Sequence, residues 1–222
     1  MWILAVMYVL LIPCAILFIH TKHKMKGSAP LTVALKAAST TIIVLAAIVG
    51  VAWIREPMQI YAILVAGGLV LGLVGDIVIC QPEPGGFLSG MIYFALGHLC
   101  YIGAFLRIST HILWALPAFL VIYGIFLTVL IRLAKKIDNL LVPTAIYGAI
   151  IATMVSMSVT IPFSVPRGYI LLAAALLFAV SDGLLAYNTF VKIQTTNHAL
   201  DWISLCCYFA GQSLFAVSIF CL

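Results

Sequence analysis

Gly67-Gly68-Leu69-Val70-Leu71-Gly72-Leu73-Val74-Gly75-Asp76-Ile77-Val78 is followed by a Pro/Gly turn over 81–86 and then by Ala95-Leu96-Gly97-His98-Leu99-Cys100-Tyr101. An acid and a histidine thus stand inside two apolar runs, each long enough to cross a bilayer. A charge at such depth costs roughly 3 kcal/mol on insertion scales. It persists only where it faces the interior of a helix bundle and finds a partner there. A second acid of this kind, Asp182, follows in Ala179-Val180-Ser181-Asp182-Gly183-Leu184. The spacing predicts that the remaining spans hold these two carboxylates close together within the membrane.

Working outward, the composition agrees with a membrane solvent. Of 222 residues, 65% are hydrophobic and 8% charged, where a soluble domain carries about 25% charged residues. Eight spans are predicted at about 2–19, 31–53, 59–80, 87–106, 111–132, 139–160, 168–189 and 200–221. Each is close to the ~20 residues that cross ~30 Å of hydrocarbon. Continuous apolar character, without polar alternation, favours helices over a barrel. The expected fold is all-α: a polytopic eight-helix transmembrane bundle forming a single integral membrane domain over 1–222. Turn chemistry marks several span ends, at 26–30, 55–57, 81–86 and 162–167, whereas the connection over 132–139 is charged.

The net charge of +5 is explained by topology and not by nucleic acid. Lys22, Lys24, Lys26, Arg132, Lys135, Lys136 and Lys192 fall in connections on one side, and Arg55, Arg107 and Arg167 on the other. The positive-inside rule then puts the first group in the cytosol and both termini on the non-cytosolic side. The first span lacks a basic leader and carries its positive charges after the apolar run, the pattern of a retained signal anchor. A faint repeat, Val74-Gly-Asp76 with Tyr101 and Val180-Ser-Asp182 with Tyr208, suggests two parallel four-helix halves.

Depth links this topology to chemistry. At 1.5 Å per residue, Asp76 lies about 6 Å in from the cytosolic end of its span, Lys36 about 8 Å and Asp182 about 10 Å. Tyr208 lies about 12 Å in, and His98 and Gln212 about 17–18 Å. Polar groups from five spans therefore share the cytosolic half and centre of the membrane. Two acids in different surroundings can divide roles, one donating a proton and the other stabilising positive charge. Lys36 pairs with one acid or holds a phosphate. His98, three residues from Tyr101 on one helix face, relays protons or bonds a neighbouring helix. Ser181, Asn188, Tyr208 and Gln212 are placed as lining of a polar cavity. Ser181 reads as a hydrogen-bonding residue, because it has no neighbouring histidine in sequence and no nucleophile elbow. Gly68, Gly72 and Gly75 form a small-residue stripe suited to close helix packing. The cysteines (Cys14, Cys80, Cys100, Cys206, Cys207, Cys221) lack metal-ligand spacing, and no phosphate-cradling glycine loop or dinucleotide fingerprint is present, so no cofactor is expected.

Several of these pieces together resemble the YhhN-type membrane proteins (the transmembrane protein 86 family), whose animal members are lysoplasmalogenases. The matching residues are Lys36, Gly75-Asp76, Gly97-His98-Leu-Cys-Tyr101-Ile-Gly-Ala-Phe105, Val142-Pro-Thr-Ala-Ile-Tyr147-Gly148, Ala175-Leu-Leu-Phe-Ala-Val-Ser181-Asp182-Gly-Leu-Leu-Ala-Tyr-Asn188, and Tyr208-Phe-Ala-Gly-Gln212. Ser39 stands near the place of a family proline and Phe209 where a tyrosine is usual. The resemblance implies hydrolysis of the vinyl ether of a lysoplasmalogen to a fatty aldehyde and glycerophosphocholine or glycerophosphoethanolamine. It implies Asp76 and Asp182 as catalytic groups, with Lys36, His98, Tyr101, Ser181, Asn188, Tyr208 and Gln212 toward substrate. An endoplasmic reticulum membrane is the implied location. The expected partners are a lysophospholipid substrate and membrane lipids, with a homodimer left open. A proton-coupled or lipid transporter that uses the two acids as a relay is the competing reading.

Overall fold

The computed structural model describes residues 2–24, 30–81, 86–190 and 198–222. Lys26, Lys192 and the turn over 82–85 lie outside the described residues. Eight helices follow in order: α1 (Trp2–Lys24), α2 (Pro30–Trp53), α3 (Gln59–Val78), α4 (Gly86–Ile108), α5 (Ala115–Ile137), α6 (Leu141–Thr160), α7 (Tyr169–Phe190) and α8 (His198–Cys221). All eight are long and apolar enough to cross a membrane, and no strand occurs among the described residues. The chain is therefore an all-α, multi-pass integral membrane protein.

The predicted spans and the helices coincide within a few residues, with two informative differences. α1 runs on to Lys24, and α5 runs on to Ile137 with a 3₁₀ turn over Asp138–Leu140. The charged connection expected over 132–139 is thus largely helix: Arg132 to Ile137 keep the helical path, since none of the intervening residues is Gly or Pro. Several hydroxyls inside the spans are satisfied locally. Ser39, Thr153, Ser156 and Ser213 each donate to the carbonyl four residues back, at 2.6–2.9 Å.

α8 is the most buried span and α5 the least. α8 packs on α7, α2, α3 and α1, whereas α5 packs mainly on α6. α5 turns Leu120, Val121, Ile125 and Val129 outward, as a lipid-facing helix does. The glycine stripe on α3 brings that helix against its neighbours. A Cβ at Gly68 would collide with the Tyr101 ring, one at Gly72 would lie 2.7 Å from Gln212 Nε2, and one at Gly75 would lie 3.2 Å from Phe94. The stripe therefore makes room for α4 and α8 side chains over the two turns of α3 that lead up to Asp76. The repeat has an echo in packing, with α3 closest to α4 and α7 closest to α8. Its aromatic members diverge. Tyr208 reaches Asp76 of the other half, while Tyr101 stacks on Phe215 with ring centroids 3.9 Å apart.

Candidate active site

Asp76 sits near the C-terminal end of α3 and is fully buried. One carboxylate oxygen lies 2.9 Å from the Lys36 ammonium. The other accepts hydrogen bonds from Thr40 Oγ1 at 2.5 Å and Tyr208 Oη at 2.7 Å. Tyr208 Oη in turn accepts from Gln212 Nε2 at 2.8 Å, and the Lys36 ammonium lies 5.7 Å from the Tyr208 ring centroid. Lys36 and Thr40 are four residues apart on α2, as Tyr208 and Gln212 are on α8, so each helix presents two groups from one face. A buried carboxylate paired with one cation and two hydroxyl donors has the partners that a buried charge requires.

Asp182, on α7, has different company. Its Oδ2 accepts a hydrogen bond from Tyr147 Oη on α6 at 2.6 Å and lies 3.5 Å from His98 Nε2 on α4. His98 Nε2 is also 3.3 Å from Tyr147 Oη, and the imidazole packs edge-on against Phe178. His98 Nδ1 is buried without a hydrogen-bond partner. Three helices thus supply an acid, a phenol and an imidazole in mutual contact, the makings of a proton relay.

Both acids line one cavity of about 290 Å³, together with Lys22, Thr32, Lys36, Phe87, Phe94, Ser181, Ser204 and Tyr208. Its outer rim is the ion pair of Lys22 and Asp201, with side chains 30% and 16% exposed and a separation of 2.8 Å. A second, apolar crevice of about 40 Å³ adjoins it, sharing Ile79, Phe87, Phe94, Asp182 and Leu185, and extends past Met91 and Phe190. Along this seam α4 and α7 meet through the edge-on ring pairs Phe87–Phe190 and Phe94–Phe178.

Of the residues singled out from sequence, Asp76, Asp182, Lys36, Ser181 and Tyr208 line the cavity, and Gln212 and His98 stand directly behind it. Ser181 exchanges hydrogen bonds with Ser204 and reaches no titratable base. Tyr101 and Asn188 are not brought to the cavity. Tyr101 is committed to the Phe215 stack with its hydroxyl unpartnered, and Asn188 Oδ1 is buried without a hydrogen-bond partner. Sequence reasoning gave no site role to Thr40, Tyr147, Lys22 or Asp201. Thr40 could have been found from its spacing to Lys36. Lys22 read only as a topological charge, and Tyr147 only as part of the family resemblance, with no role attached. Among the described residues, no group of three or more His, Cys, Asp or Glu side chains could hold a metal ion.

The YhhN family model matches residues 31–219, which include every member of both acid clusters. The chain belongs to the YhhN family. Among curated members, this YhhN protein is 32% identical to lysoplasmalogenase TMEM86B of Homo sapiens over 169 residues, covering 76% of this chain and 69% of that one. It is 30% identical to lysoplasmalogenase TMEM86B of Rattus norvegicus over 168 residues, covering 75% of this chain and 65% of that one. No solved structure matches it.

Proposed function

We propose that this protein hydrolyses the vinyl ether bond of lysoplasmalogens, releasing a fatty aldehyde and glycerophosphoethanolamine or glycerophosphocholine. The observation that carries the reading is the pair of aspartates lining one cavity with unlike partners: a cation and two hydroxyls at Asp76, a phenol and an imidazole at Asp182. The relatives named lysoplasmalogenase support the substrate class.

Vinyl ether hydrolysis begins with a proton delivered to carbon. The Asp182–Tyr147–His98 cluster delivers that proton to the alkenyl carbon not bonded to oxygen. The double-bond electrons form the new C–H bond, and the carbon bonded to oxygen becomes an oxocarbenium ion. Asp76, held by Lys36, Thr40 and Tyr208, stabilises this cation and orients a water toward it. Water adds to the cationic carbon and gives up a proton to a carboxylate, leaving a hemiacetal. The hemiacetal hydroxyl gives up its proton as the aldehyde carbonyl forms, the bond to the glycerol oxygen breaks, and that oxygen takes up one proton in return through the carboxylates. One water is consumed and the acid–base groups end as they began.

The location of the cavity suits a lipid. It lies at the ends of α1, α3 and α7 and the starts of α2, α4 and α8, beneath one membrane face. A headgroup and glycerol fit the polar cavity, and the crevice between α4 and α7 has room for the first carbons of the hydrocarbon, the rest of which lies in the lipid. We place that face toward the cytosol, with both termini on the opposite side of an endoplasmic reticulum membrane, from the distribution of Lys and Arg.

Purified protein in detergent, given a lysoplasmalogen, is expected to release aldehyde without a second compartment. Asp76→Asn and Asp182→Asn each lower the rate at least about a hundredfold. An ester-linked lysophospholipid of the same chain is not cleaved. Absence of aldehyde, combined with substrate uptake only in sealed vesicles, would establish a transporter instead.

A further inference from the structure

The cavity carries a charge pair that the chemistry above does not use. Lys22, in the last turn of α1, and Asp201, in the first turn of α8, meet across the mouth. The ammonium lies 2.8 Å from each carboxylate oxygen. The deeper cation, Lys36, is committed to the buried Asp76. We propose that Lys22 and Asp201 form an exchangeable clamp for a zwitterionic lysophospholipid headgroup: Lys22 takes the phosphate, and Asp201 takes the ammonium of ethanolamine or choline. This rests on the proposed function and names the residues that select its substrate.

Three features support the assignment. The pair is partly exposed, so opening it leaves no stranded charge in the hydrocarbon, in contrast to opening Lys36–Asp76. A zwitterionic headgroup offers Lys22 an anion and Asp201 a cation and adds no net charge to a low-dielectric mouth, whereas a headgroup bearing phosphate alone leaves Asp201 facing an anion. The depth is also right. Asp201 and Tyr208 are seven residues apart on α8, about 10 Å along the axis, and Tyr208 contacts Asp76. A headgroup held at the rim therefore lays the glycerol unit and the bond beyond it toward the acids.

The clamp is tested with saturated 1-O-alkyl lysophospholipids, which carry no vinyl ether and remain intact, so binding is read apart from turnover. Wild-type protein in detergent is expected to bind the ethanolamine and choline forms at least about tenfold more tightly than the phosphate-only form. Asp201→Asn reduces that preference to about twofold or less by weakening the zwitterions and strengthening the anion. The neutral double variant Lys22→Met/Asp201→Leu removes both charges together and strands neither, keeps the wild-type melting temperature and loses the preference. A purely structural pair would leave the headgroup ratio at its wild-type value in both variants, and that result overturns the proposal. If aldehyde release fails but the ratio behaves as stated, the clamp stands and the hydrolytic reading falls. If aldehyde is released and the ratio is unmoved, the reverse holds.

Discussion

The surroundings of Asp76 and Asp182 differ more than the residues themselves. Asp76 is fully buried and bonded by Lys36, Thr40 and Tyr208 from two helices. Asp182 keeps a 12% exposed side chain and has a phenol and an imidazole for neighbours, with no lysine or arginine paired to it among the described residues. Under the proposed function, two identical side chains lining one cavity are thereby separated into a charge-holding site and a proton-exchanging site. The separation is produced by partner chemistry, since both acids enter near the same ends of their helices.

Removing the cation from the first surroundings breaks this comparison most severely. Lys36→Met leaves a buried carboxylate without its counter-ion, and a loss of about 3–5 kcal/mol is expected, read as a fall in melting temperature in detergent. Adding Asp76→Leu restores stability and leaves activity abolished. The next comparison sets the two phenols against each other. Tyr147→Phe removes the short hydrogen bond donated to Asp182 and is expected to slow aldehyde release about tenfold. Tyr208→Phe leaves Asp76 with Lys36 and Thr40 and costs about threefold. Equal losses would mean that the two acids are held alike. Gly72→Ala presses on the far end of the flexible Gln212 side chain, a group one step removed from Asp76, and is expected to cost only about 1 kcal/mol. Tyr101→Phe is the smallest change. It deletes a buried hydroxyl that has no partner, so stability and rate should stay within about 0.5 kcal/mol of wild type.

The helices were legible because a membrane imposes a one-dimensional rule. Every backbone group must be satisfied within a span, so hydropathy and turn residues suffice to place the elements. Asp76, Asp182 and Lys36 were legible for the converse reason, since a charge within such a run demands an internal partner. Which residue answers each acid was not legible. Tyr208 serves Asp76 and Tyr147 serves Asp182, and both pairings depend on how α8 and α6 are rotated. A sequence with polar residues one helical turn apart does not fix that rotation. The glycine stripe did signal close packing, but not that Tyr101 would fill the space at Gly68 and so leave the cavity. Asp201 was hidden by its position at a helix start, where an acid is favourable for the helix alone.

Joint action of Asp76 and Asp182 on one bond in one cavity is what the proposed function requires. It is tested most directly by aldehyde release from a lysoplasmalogen by the wild type, Asp76→Asn, Asp182→Asn and the double variant. Groups that serve a single transition state are strongly non-additive. Rapid release is expected from the wild type, with a double variant about as slow as the slower single one. Losses that multiply, or no aldehyde from the wild type, would contradict it.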